Sequence, residues 1–155
     1  MKHLLFVTSI LIYCFKVNAQ QNKDEYKSMI DSAINIMYTR YLDVTKKQPN
    51  NDYLNNLYLL NEQNQPLNDI PSNSKFKLIN VYDDRNRKAL SKGIYAWKVL
   101  TILNNNRLTI NIMDYYITYK NRDYNFSNGG GSTTIFEYSC KENKWVLISF
   151  HNRGI

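Results

Sequence analysis

The chain has 155 residues, a mass of 18.4 kDa and a formal net charge of +7, from 20 Lys and Arg against 13 Asp and Glu. With 43% hydrophobic and 21% charged residues, it has the composition of a folded domain of ordinary size, which excludes wholesale disorder. Three prolines and five glycines exclude collagen-like and Pro-rich chains, and two cysteines exclude a disulfide framework and a four-cysteine zinc site.

The first element reads as an address. Lys2 precedes an apolar run from Leu4 to Tyr13, and Val17-Asn18-Ala19 supplies modest residues where a signal peptidase reads. This order predicts a secretory signal peptide over residues 1–19, cut after Ala19, with residues 20–155 as a single α+β domain. The run falls short of the ~20 apolar residues of a membrane span, so no transmembrane segment is expected in the mature chain. Cys14 follows Tyr13 where a lipoprotein signal wants a small residue, which argues against a lipid anchor. Processing removes Lys2, Lys16 and Cys14, leaving 18 basic and 13 acidic residues, a net of +5, with Cys140 as the remaining cysteine. A periplasmic or secreted domain of this kind rests on its core rather than on an internal disulfide. Cys140 is expected as a small buried apolar residue. Asn, Lys, Ile and Tyr are abundant and share AT-rich codons, an association with low-GC bacteria.

Residues 24–42 read as a helix, because Tyr26, Met29, Ile30, Ala33, Met37 and Tyr41 follow the spacing of one apolar face. Asp24 and Glu25 suit its positive end, and Lys46 to Asn51 is expected to stop it. A short strand follows at Leu57–Leu60, and a second at Lys75–Tyr82. Asp83–Arg87 reads as a polar turn. Two long strands, Ile94–Leu103 and Arg107–Tyr119, flank Asn104-Asn105-Asn106, since asparagine tolerates the positive φ of tight hairpins. The alternation blurs past Met113 into Asp114-Tyr115-Tyr116, which predicts a bulge or bend. Asn121–Ser132 reads as a polar loop ending in Gly129-Gly130-Gly131. A last hairpin pairs Thr133–Cys140 with Trp145–His151.

One helix before an antiparallel meander predicts an α+β fold, with the N-terminal helix packed on a curved sheet. A strand of about 13 residues reaches about 43 Å at ~3.3 Å per residue, so the sheet must twist and curl. A small β-barrel is the alternative. The layout resembles the cone-shaped roll of the nuclear-transport-factor-like and cystatin-like groups. The hairpin from Glu137-Tyr138-Ser139-Cys140 to Lys144-Trp145-Val146-Leu147 is similar to that of small exported bacterial proteins of unknown function, and this likeness carries no activity with it.

Most site chemistries lack their residues. After processing, His151 and Cys140 are too few for zinc, so no metal and no cofactor is expected. Asn121-Arg122-Asp123-Tyr124-Asn125 opens like a calcium loop. It has Phe126 where the loop needs Gly and Ser132 where it needs Glu. Gly129-Gly130-Gly131-Ser132-Thr133-Thr134 lacks the lysine and the following helix of a phosphate loop, and reads as a mobile turn. Ser149 and His151 share a strand face, with Asp114 as a third group, yet no nucleophile elbow surrounds the serine. Asp114 and Glu137 form a carboxylate pair only if their separation allows it.

Charge is uneven. Residues 75–107 hold eight bases and two acids, a local +6, while 20–74 sum to −2 and 108–155 to +1. A converging surface of this kind attracts an anionic partner, and an exported protein rarely meets nucleic acid. Two functions follow. The first is a non-enzymatic binding module, an inhibitor or immunity-type protein gripping an acidic protein partner through Arg85, Arg87, Lys88, Trp97 and Arg107. The second is a pocket for a small apolar or aromatic ligand near Asp114, Tyr116, Tyr138 and Trp145. Its extreme form is an enzyme using Asp114 or His151 as acid/base.

Overall fold

The computed structural model describes residues 24–44 and 53–154. The expected signal peptide, Cys14 and the helix stop at Lys46–Asn51 lie outside the described residues. Helix α1 covers residues 24–44. It buries the predicted stripe: Met29, Ile30, Ala33, Ile34 and Met37 are all below a tenth exposed. Each of the Met and Ile side chains removed from water contributes about 1.5–3 kcal/mol. Tyrosine hydroxyls pin both ends of α1 to the sheet. Tyr26 donates to Thr101 Oγ1 at 2.6 Å and Tyr41 donates to Asp114 Oδ2 at 2.6 Å.

The sheet has strands β1 (Leu57–Leu60), β2 (Ile94–Asn104), β3 (Arg107–Lys120), β4 (Asp123–Ser139) and β5 (Lys144–Arg153), in spatial order β1-β2-β3-β4-β5. It curls into a half-barrel and with α1 makes an α+β fold. The sheet is mixed rather than wholly antiparallel, because β1 runs parallel to β2. The long connection over residues 61–93 makes that crossover feasible.

Four local expectations change. The strand predicted at Lys75–Tyr82 is absent: Pro71–Lys75 forms a 3-10 turn, and Lys77 makes only a bridge to Tyr58. The polar turn at Asp83–Arg87 is a 3-10 turn running into a short helix α2 (Arg87–Lys92), with the Asp83 side chain accepting from Arg85 N. The glycine loop is strand. The real β3–β4 turn is Asn121-Arg122, both at positive φ, between the paired Lys120 and Asp123. Cys140 is exposed in the β4–β5 turn, since a hairpin tip projects beyond the core. The predicted bulge is present. The register shifts between Asp114 and Tyr115, and the extra residue is Gly129 on the facing strand.

Strand alternation puts two cores on opposite faces of the sheet. Trp97, Val99, Leu108, Ile110, Ile112 and Phe136 face α1. Ala96, Ile94 and Ile117 face the other way and are covered by Ile79, Val81 and Leu90, the last from α2.

Candidate functional site

Helix α2 packs against β3, and this contact builds a basic, tyrosine-rich end. The Arg87 guanidinium lies 5.2 Å from the Tyr119 ring centre, and a hydrogen bond with Tyr124 heads the causes that raise its pKa. Tyr119 and Tyr82 both contact the Tyr124 ring, at 4.7 and 5.2 Å. Arg85 holds Asp83 through two guanidinium nitrogens, at 3.0 and 2.6 Å. These bonds draw the half-buried Asp83 carboxyl down to about 2. Arg87 also meets Asp84 at 2.6 Å. Lys88 and Lys92 are exposed on α2, and Lys120 and Arg122 are exposed at the adjoining β3–β4 turn. Six bases (Arg85, Arg87, Lys88, Lys92, Lys120, Arg122) thus face three acids (Asp83, Asp84, Asp123) at this end. Tyr82 is 52% exposed beside them.

Two residues of the predicted basic surface lie elsewhere. Trp97 is fully buried in the α1-side core, so it takes no part in an exposed grip. Arg107 opens β3 and pairs with Glu137 at 3.0 Å. Tyr119, beneath Arg87, lies twelve residues further along β3, about 40 Å of strand. The segmental charge count was blind to this, because a long strand carries its two ends to opposite poles.

The other predicted set separates too. Asp114 sits 7% exposed in a run of aromatic rings. Tyr38 and Phe76 flank Trp97, which touches Tyr41; Tyr41 stacks on Tyr53; Tyr53 meets Tyr95, and Tyr95 meets Tyr116. Trp97 Nε1 donates to the Tyr53 hydroxyl at 2.9 Å. Burial first, then the hydrogen bond to Asp114 for Tyr41 and the Asp114 charge for Tyr53, push these phenols well above their ordinary range, so both stay protonated. Tyr116 closes the run at the surface, its hydroxyl donating to the Lys92 carbonyl. Tyr138 and Trp145 pack on each other at 5.6 Å in the β4–β5 hairpin. Tyr138 lies eight residues along β4 from Gly130, the partner of Asp114, about 26 Å away. Tyr41 and Tyr53 went unread in the sequence as partners of Asp114. Their only signal was the helix spacing that placed Tyr41 on the buried face.

The acid/base sets do not assemble. Glu137 pairs with Arg107, seven residues from Asp114 on β3, about 23 Å of strand. That exceeds the ~5–9.5 Å a glycosidase pair spans. Ser149 and His151 pair with Ile135 and Thr133, whose side chains point away from the face that carries Asp114.

Three concavities stand out among the described residues. The largest is an open groove of 720 Å³ between α1 and β5, lined by Ser32, Asn35, Thr39, Arg40, Phe150 and Asn152 among others. A hollow of 200 Å³ lies beside the glycine bulge, and one of 300 Å³ beside Tyr26 and Glu62. No cluster of His, Cys, Asp and Glu able to hold a metal occurs among the described residues. No described helix is long and apolar enough to cross a membrane. Comparison with protein families, curated proteins and solved structures gives no match for this chain.

Proposed function

We propose that the protein is an exported, non-enzymatic binding module whose grip is the basic, tyrosine-rich end. The observation that carries this reading is the Arg87 guanidinium seated on Tyr119 and paired with Asp84, ringed by exposed lysines and arginines. Arginine and tyrosine held rigid in this way combine contact area, charge and low entropy cost, the features of interface anchors. The excess of positive charge selects an acidic protein, and steers it over about a Debye length. An inhibitor or immunity-type role demands no more than such a surface. The scattered acid/base residues support the same reading over a catalytic one.

The test uses the full chain as bait against envelope and secreted fractions of the source cell. One acidic protein should be retained at low salt and released at high salt. Arg85→Glu with Arg87→Glu should abolish that retention while circular dichroism shows the domain still folded. Arg107→Ala, at the other pole, should leave it intact. Retention unchanged by the Arg85 and Arg87 reversals would sink the basic-end interface.

A further inference from the structure

The two edges of the sheet are treated differently. The β1 edge is covered by the chain itself: Lys77 N donates to the Leu57 carbonyl at 2.9 Å and Leu67 N to the Leu59 carbonyl at 3.1 Å. Bridges from Lys77 and Pro66 complete that cover. Strand β5 is the other edge, and among the described residues it pairs with β4 alone. Its ten residues present about 33 Å of backbone with an outward row of N–H and C=O groups. A register shift opposite Ile135 and Phe136 leaves Ile148 without a partner, and Leu147 and Ile148 are 46% and 55% exposed.

Beside this edge runs the groove against α1. A strand added to β5 would continue the curl of the half-barrel and lay one face over Ile36 and Phe150, which line that groove. Its charge discriminates between occupants. Strand β5 carries Lys144 and Arg153 and no carboxylate, Lys144 reaching Glu142 of the β4–β5 turn at 2.7 Å, and Arg40 adds a further base beside Asp43 in the groove. A second copy pairing antiparallel about Ile148 and Ser149 would set Lys144 against Arg153 twice, and like charges directly opposite are unfavourable. An acidic strand meets the same positions with attraction.

We infer that the outer edge of β5 and the groove beside it form a docking site for an extended, acidic segment of a protein partner, added as a sixth strand. Main-chain hydrogen bonds supply the affinity, and the alternating side chains supply the choice of partner. This site stands apart from the basic end, and either can fail without the other.

The probe is a ten-residue peptide of alternating Val and Glu, with a Val and Lys peptide as its counterpart, titrated against the full chain by fluorescence anisotropy. Amide hydrogen exchange then locates the contact. The acidic peptide should bind and slow exchange at alternate β5 amides between Lys144 and Arg153, and the basic peptide should not bind. Lys144→Glu with Arg153→Glu, both exposed side chains, should weaken the acidic peptide about tenfold, equivalent to about 1.4 kcal/mol. Arg85→Glu with Arg87→Glu should leave that affinity unchanged. Absence of binding, protection away from β5, or equal weakening by the two charge-reversal pairs would overturn the proposal. So would dimerisation of the free chain in sedimentation that the β5 reversals abolish, since it would assign the edge to a second copy.

Discussion

The Asp114 carboxylate lies among aromatic rings, with the Tyr41 hydroxyl on Oδ2 and, among the described residues, no hydrogen-bond partner on Oδ1. A buried charge is held at a cost, and each donor that reaches it offsets part of that cost. Tyr41→Phe removes one such donor while sparing the ring stack, and should destabilise the fold by about 2 kcal/mol in urea unfolding. Adding Asp114→Asn to that variant should cost less than the two single changes summed, because the charge that needed the donor is gone. An unchanged unfolding midpoint in Tyr41→Phe would refute a stabilising role for the Tyr41–Asp114 bond. The phenols carry a pH signature as well. Tyr41 and Tyr53 have folded-state pKa values raised above the ordinary tyrosine value, by burial first and by Asp114 next. Their contribution is complete below pH ~10, and is lost as pH rises further, because the unfolded chain ionises where the folded one does not. In an alkaline absorbance titration, at least two of the 13 tyrosines should therefore ionise only as the chain unfolds. Smooth ionisation of all of them in the folded protein would contradict the buried cluster.

At the scale of elements, short pieces held by tertiary contacts are what sequence patterns missed. Helix α2 has six residues and one buried side chain, Leu90, too few for any periodicity to register. It ends at Gly93, whose φ of 84° no side chain favours, and whose missing Cβ makes room for a neighbour. A Cβ there would lie 1.9 Å from the Tyr116 hydroxyl oxygen. Gly93→Ala should thus cost about 2–3 kcal/mol, from backbone strain plus displacement of the ring. Tyr116→Ala should recover the steric share and leave the backbone share, which a double-mutant cycle separates. Full additivity in that cycle would mean that the ring does not set the glycine. The glycine triplet follows the same logic on β4. A Cβ at Gly130 would lie 2.4 Å from the Arg153 carbonyl oxygen, so a close strand crossing, not a mobile turn, requires glycine there. Glycine within a strand marks either a turn or a close approach, and only the neighbouring strand tells which.

At the scale of the molecule, one sheet serves two cores and has two unequal edges. Opposite-face burial lets α1 and the 79–92 segment cover different faces of the sheet, so a segment that carries part of the charge excess is also structural cover. This couples the basic end to the fold through Leu90 while leaving Arg85, Lys88 and Tyr82 in solvent. Of the predicted grip, Arg85, Arg87 and Lys88 were legible as neighbours because one short segment holds them. Trp97 and Arg107 were misplaced because alternation buried the first and strand length carried off the second. By itself the sequence determined what local spacing encodes: helix α1 and its buried stripe, the long β2–β3 hairpin, the bulge near Asp114, the last hairpin and the α+β class. Those features depend on side-chain period and turn chemistry within a few residues of each other. The tertiary structure alone decided the parallel placing of β1, the second core under α2, the pairing of Tyr41 with Asp114 and, among the described residues, the unpaired edge of β5. Each of those depends on contacts between residues far apart in the chain, whose geometry exists only once the sheet has curled.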